Sequence, residues 1–333
     1  MNRSEVIIAR SLFLSRVRSF FLWGGFLEVD TPLLVPWVPS EAHITPLTVT
    51  LKRRKGAERR YLPTSPEGAL KILLAEVGRD LFEIGHSFRD GEEEGPLHRS
   101  HFRLLEWYRL EAGLDEIEAD LIGLLDSLRR WLTSGEEGAA PGAMRPPVLG
   151  NPAPALLAQR CERLSVPEAF RRHLDYPIEG PDAIEGLPAL AERCGHKGVS
   201  DWREAFHRLL AVEIQPKLGL TAPTILTHYP AGIAAQARPN PERPWLAEQL
   251  ELFVAGVELA NCYSELTDPD LQRRRFEQEA ERAEGRSPPP PDERFLMSLR
   301  RLPARTAGGC LGLERLMMLW LGVQEIGALR PTV

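Results

Sequence analysis

Cysteine is scarce in this chain of 333 residues: Cys161, Cys194, Cys262 and Cys310 lie far apart, and none forms a Cys-x-x-Cys pair. That argues against a zinc ribbon or a disulfide framework and suits a reducing compartment. Also missing is any uninterrupted apolar run of about 18 residues, the length that a membrane-spanning helix needs. The N-terminal stretch is apolar, but Arg10, Arg16 and Arg18 interrupt it, so it lacks the core of a secretion signal. There is no excess of basic charge. Lys and Arg number 41 against 47 Asp and Glu, a net charge of −6, which gives no global pull towards nucleic acid or anionic membrane. No internal repeat is present, and the expected compartment is the cytoplasm.

What is there reads as alternating strands and helices. Residues 7–22 carry apolar positions at helical spacing, and Gly24-Gly25 ends that helix. A short strand follows at Phe26 to Val29. Residues 47–62 read as a hairpin with Lys52-Arg53-Arg54-Lys55-Gly56 at its tip. Ser65-Pro66-Glu67 opens a helix of about ten residues, with proline just inside its start. Strands are expected at 81–88 and 102–108, joined by a polar loop, and an amphipathic helix at 114–132. Residues 134–154 turn to Gly, Ala, Pro and Glu, which marks a surface excursion, and 155–218 read as a helical insert. Strand-like segments return at 223–228 and 250–258. A charged helix at 269–284 is expected to show solvent an exposed face, and a Pro run follows it. A Gly-rich strand then leads into a helix over Gly308 to Leu321. The pattern predicts an α+β domain, a mostly antiparallel sheet flanked by helices.

Chemistry concentrates in three places. Arg89 ends one strand, and Phe102 to Tyr108 alternate along the next, so a cationic fork and an aromatic face share one sheet surface. Arginine binds a phosphate bidentately, as lysine cannot. Glu258 and Glu265 stand seven residues apart, hard oxygen ligands of the kind Mg²⁺ takes when it bridges nucleotide phosphates. The segment Gly308 to Arg315 supplies glycines over which a ligand could lie, then a second arginine in a helix's first turn.

In this order, Gly25 to Pro32, Phe88-Arg89-Asp90 with Leu104-Leu105-Glu106-Trp107-Tyr108, and Gly312-Leu313-Glu314-Arg315 resemble motifs 1, 2 and 3 of the class II aminoacyl-tRNA synthetases. Thr64-Ser65-Pro66-Glu67 and Glu258 to Asp268 narrow the resemblance to the lysyl branch. The Leu-Glu-Trp-Tyr ending is most similar to the truncated paralogues that lysylate elongation factor P. The resemblance implies one catalytic domain over 1–333 with a helical insert at about 134–220. Only about 25 residues precede the first motif, too few for the anticodon-binding barrel of a lysyl-tRNA synthetase.

The resemblance also implies roles. Ser65, Glu67, Tyr108 and Glu265 would surround a lysine-type substrate. Arg89 and Arg315 would act catalytically on the phosphates of ATP. Asp90, Gly91, Arg99, Phe102, Glu258, Leu259 and Gly312 would complete the ATP site, and Glu258 and Glu265 would hold Mg²⁺. The expected reaction activates lysine or β-lysine as the adenylate, then transfers it to a lysine ε-amine on elongation factor P. Two other readings are a non-catalytic sensor of amino acid or nucleotide, and charging of tRNA-Lys. The net charge and the short N-terminus make tRNA the less expected partner. Motif 1 implies a homodimer, with Phe13, Val17 and Phe20 as the apolar residues to be covered. Three departures stand out: Asp90-Gly91-Glu92 replaces the family's Asn-Glu, Arg99 stands where Asn is usual, and Cys310 stands where Gly or Ala is usual.

Overall fold

A computed structural model describes residues 3–91, 94–134, 157, 159–283 and 289–329. Glu92 and most of the 134–154 excursion lie outside these residues.

Helix α1 (Arg3–Trp23) leads through Gly25, at φ +84°, into β1 (Leu27–Glu28). A separate hairpin, β2 (Thr48–Arg53) and β3 (Gly56–Tyr61), precedes α2 (Glu67–Val77). Then come β4 (Leu81–Phe88), β5 (His101–Leu110) and α3 (Leu114–Ser134). β6 (Glu162–Ser165) opens the insert, whose helices α4 (Val166–Leu174), α5 (Pro181–Glu185), α6 (Leu187–Arg193) and α7 (Trp202–Leu209) follow. β7 (Thr224–Thr227), β8 (Gln249–Val254), β9 (Val257–Ser264), α8 (Pro269–Arg282), α9 (Glu293–Leu299), β10 (Thr306–Gly312) and α10 (Leu313–Leu321) complete the order.

The main sheet runs β1-β4-β5-β10-β9-β8-β7-β6. It is antiparallel except at its two edges, where β1 pairs with β4 and β6 with β7 in parallel. The α+β expectation holds. Sequence reading missed β6, which carries a single apolar residue, Leu164, and so no alternation to detect. It also ran β8 into β9; Ala255 and Gly256, at φ +53° and +76°, form a two-residue turn between them. Such turns are usually signalled by Asn-Gly or Asp-Gly, and alanine gives no such signal.

One sheet face carries the core. Phe13, Val17 and Phe21 of α1 are fully buried among α3, α10 and the sheet, with Phe13 5.2 Å from Trp320 and Phe21 5.1 Å from Phe82 between ring centroids. Phe13 and Val17 are therefore covered by their own chain, and the dimer argument resting on them fails. What α1 and the following loop expose instead is Ile7, Ile8, Leu22, Trp23, Leu33 and Leu34. The insert packs a second core around Phe170, Phe206 and Ile214. Among the described residues no helix is long and apolar enough to cross a membrane.

Candidate active site

The other sheet face floors a pocket of about 880 Å³. Alternation selects the floor: Phe102, Leu104 and Glu106 from β5, Asn261 and Tyr263 from β9, Cys310 and Gly312 from β10, Gln249 and Glu251 from β8. Glu41 to Ile44, the end of α7 and residues 233–237 form the rim. Of the residues singled out from sequence, Ser65, Glu67, Arg89, Arg99, Phe102, Glu258, Leu259, Gly312 and Arg315 line this pocket. Ser65 is not the helix cap: α2 starts at Glu67 with Pro66 in the N-cap position and no side-chain cap bond. Asp90 lies apart, its backbone bridged to Thr45, and neither it nor Gly91 lines the pocket.

One end is a closed network of buried charge. The Lys71 ammonium donates to Glu67 at 2.6 Å and pairs with Glu265 at 2.5 Å, and it lies 5.4 Å from the ring centre of Tyr263. Gln236 donates to the other Glu67 oxygen at 2.6 Å, and the Tyr263 hydroxyl donates to Glu67 as well. Burial pushes the Glu265 carboxyl up to about 8 against the opposing pull of Lys71. Glu106, fully buried, is raised well above the carboxylate range by desolvation and then by the Glu67 charge; Tyr108 donates to it at 3.2 Å. Tyr108 and Glu265 thus sit behind the wall, in contact with the groups that line it. Sequence reasoning missed Lys71, Gln236, Glu106 and Tyr263. Lys71 stands one turn after Glu67, the i,i+4 spacing of an ion pair, and that was the available signal.

The other end holds the arginines and two further carboxylates, Glu251 and Glu258. Arg315 donates to the carbonyls of Glu258 at 3.0 Å and Leu97 at 3.3 Å, meets His98 at 2.9 Å, and lies 3.7 Å from the Glu258 carboxylate. Its neighbour Glu314, also on the pocket lining, accepts from Arg10 at 3.1 Å and from the Arg103 amide at 2.9 Å. The Arg89 guanidinium lies 5.0 Å from the ring centre of Phe102. Arg99 folds back on the carbonyls of Gly95 and His98, at 2.5 and 2.9 Å.

The two carboxylates paired from sequence stand apart: Glu258 lines the pocket and Glu265 does not. Glu265 is 0% exposed and tied to Lys71, whereas Glu258 reaches the pocket. The reason is register. Phe253 pairs with Glu258 and Leu252 with Ala260, so Leu259 is an extra residue; its side chain joins the core, and Glu258 falls on the pocket face. The carboxylate beside Glu258 is Glu251, raised to about 8 by burial and then by the Glu258 charge, with Tyr229 donating to it at 2.7 Å. Two mutually repelling carboxylates in a pocket that arginines also line are the kind of donor set that suits Mg²⁺, which takes one or two protein carboxylates and fills its shell with substrate phosphates.

The glycines of β10 also differ from expectation. A Cβ on Gly309 would fall 2.6 Å from the Trp107 ring, and one on Gly308 would fall 2.8 Å from Glu265 Oε1 and strike Tyr108. Those two positions are glycine because the strand packs tightly on β5. Only Gly312 opens onto the pocket. Similarly, α8 is more than a solvated face: Arg275 donates to the carbonyls of Ala234 and Ala237 at 2.7 Å each, tying down the rim segment that carries Gln236.

The sequence profile of the family described as tRNA synthetases class II (D, K and N) matches residues 1–331. The chain belongs to that family. It is 32% identical over 327 residues to a protein of Aquifex aeolicus named elongation factor P–(R)-β-lysine ligase homolog, covering 97% of each chain. It is 32% identical to the elongation factor P–(R)-β-lysine ligase of Proteus mirabilis and 31% to that of Yersinia enterocolitica, covering 96% of this chain and 92% of each of theirs.

Proposed function

We propose that this chain is an ATP-dependent ligase of the cytoplasm that activates lysine or β-lysine and transfers it to a lysine ε-amine of elongation factor P. The observation that carries the reading is the joining, in one pocket, of the buried Glu67–Lys71–Glu265 end to the Arg89–Arg315 end. Two carboxylates stand there against one resident ammonium, a donor set that would suit a substrate ammonium. Glu106, whose carboxyl burial raises well above the usual range, lines the same end and would hydrogen-bond the second amine.

In the first step a carboxylate oxygen of the amino acid attacks the α-phosphorus of ATP and pyrophosphate leaves. Arg89 and Arg315 hold the phosphates in line and oppose the charge that builds there. Glu251 and Glu258 would hold Mg²⁺, which neutralises phosphate charge when bound. In the second step the acceptor amine attacks the acyl carbon, an amide forms, AMP leaves and the amine gives up a proton. No protein nucleophile is required. The test is pyrophosphate exchange with α- and β-lysine in the absence of tRNA, followed by mass spectrometry of elongation factor P; no exchange with either isomer overturns the reading.

The working unit is a homodimer in this reading. The exposed Ile7, Ile8, Leu22, Trp23, Leu33 and Leu34 form an apolar surface that is costly to leave in water. A monomer mass by light scattering at micromolar concentration contradicts it.

A further inference from the structure

The β2–β3 hairpin pairs with no strand of the main sheet. Residues 48–61 hold six Lys or Arg and one Glu, whereas the rest of the chain holds 35 Lys and Arg against 46 Asp and Glu. A cationic arm therefore stands on an acidic body. Glu58 occupies two of its cations: Arg53 donates to it at 2.9 Å, and Arg60 pairs with its other oxygen. Lys52 and Arg59, which share the exposed face, and Arg54 and Lys55 at the tip have no described carboxylate partner.

Both feet of the arm stand on the pocket rim. Ile44 lines the pocket four residues before β2, and Ser65 lines it four residues after β3. Two strands of six residues reach roughly 20 Å outward at about 3.3 Å per residue. Any protein whose lysine enters the pocket must rest its surface on that rim.

We infer that the β2–β3 hairpin is a docking arm that grips an acidic patch on the acceptor protein beside its acceptor lysine. This rests on the acyl-transfer reading above. Four unpaired cations on a projecting arm hold a carboxylate-bearing surface and speed its encounter. The acidic body around them repels an extended phosphate backbone, which favours a compact acidic protein over RNA.

The experiment uses the whole enzyme with Lys52, Arg54, Lys55 and Arg59 all changed to Glu, and a second variant with all four changed to Gln. Pyrophosphate exchange should match the parent in both, which also shows that the fold is intact. The KM for elongation factor P in transfer should rise at least tenfold in the Gln variant and further in the Glu variant. Raising salt from 50 to 300 mM should slow transfer by the parent far more than by the Gln variant. Transfer by both variants within twofold of the parent overturns the docking arm and leaves the function standing. A parent that adenylates lysine yet never modifies elongation factor P overturns the function, and the docking arm with it. Unchanged transfer with lost binding of total tRNA makes the arm an RNA element and overturns the inference.

Discussion

The two ends of the pocket handle charge in opposite ways. At the amine end every carboxylate is already met from within: Lys71, Gln236 and Tyr263 converge on Glu67, and Lys71 alone meets Glu265. At the phosphate end Glu251 and Glu258 face each other, with Arg315 3.7 Å from Glu258 and tied mainly to backbone carbonyls. The first end is preorganised for recognition and should tolerate no loss of a partner. The second is left under electrostatic tension that an arriving cation relieves, so it should cost stability in the empty protein and gain it on loading.

The largest break in that comparison comes from Lys71→Met. It leaves two buried carboxylates without their cation, and removing one partner of a buried pair costs about 3–5 kcal/mol. Urea unfolding should show that loss; a variant as stable as the parent removes Lys71 from its place at the centre of the network. Arg315→Lys comes next. It keeps the charge but loses the fork, at about 1.5–3 kcal/mol, or roughly ten- to 150-fold in adenylation. A rate within about twofold of the parent, a gap of ~0.4 kcal/mol, denies Arg315 the phosphate.

Glu251→Gln separates the two ends most directly. The Mg²⁺ concentration that half-saturates adenylation should rise roughly ten- to 100-fold, the range seen when metal-site groups are removed. The metal-free protein should be no less stable, because a strained carboxylate has become neutral. The same change at Glu265 should destabilise it. If Glu265→Gln weakens Mg²⁺ and Glu251→Gln does not, the pairing made by the β8–β9 register is wrong.

Titration gives a smaller, graded effect. Glu251 at about 8 and Glu41 at about 7 are both raised from 4.5, chiefly by burial. The fold therefore keeps protons that the unfolded chain releases above about pH 4.5. Stability of the metal-free protein should fall as pH rises from there to about 8. Mg²⁺ favours the ionised pair, so its stabilising effect should grow across the same range, and melting curves with and without the ion should diverge as pH rises. Curves that stay parallel count against the metal site. The smallest effect belongs to Cys310→Ala, which removes one thiol from the pocket wall opposite Glu106. It should shift the relative KM of α- and β-lysine a few-fold and leave ATP use unchanged.

The contrast also explains what could be read from sequence. Arg89, Arg315, Glu67 and Gly312 sit in ordered motifs whose spacing survives folding, and all four line the pocket. The core strands 81–88 and 101–110 are apolar-rich runs on either side of a polar loop and were legible for that reason. What sequence could not give depends on register and long-range pairing. Glu258 joins Glu251 on the pocket face only because Leu259 is an extra residue opposite β8, and Gln236 is held at the rim by a loop that Arg275 anchors from another element. Nor could composition tell that Phe13 faces inward to Trp320 while Trp23, nearly three helical turns on, is 70% exposed.

The hairpin's independence from the main sheet has a consequence for how such an enzyme diversifies. Strands woven into a central sheet are constrained on both sides by ladder and packing, so change there threatens catalysis. An arm outside the main sheet, bridged to the rest of the chain at Tyr61 and Val35, can be rewritten residue by residue while Arg89, Arg315 and the amine pocket stay in place. Acceptor choice and chemistry are then separately heritable: exchanging fourteen residues, 48–61, would readdress the same activated acyl group to a different protein.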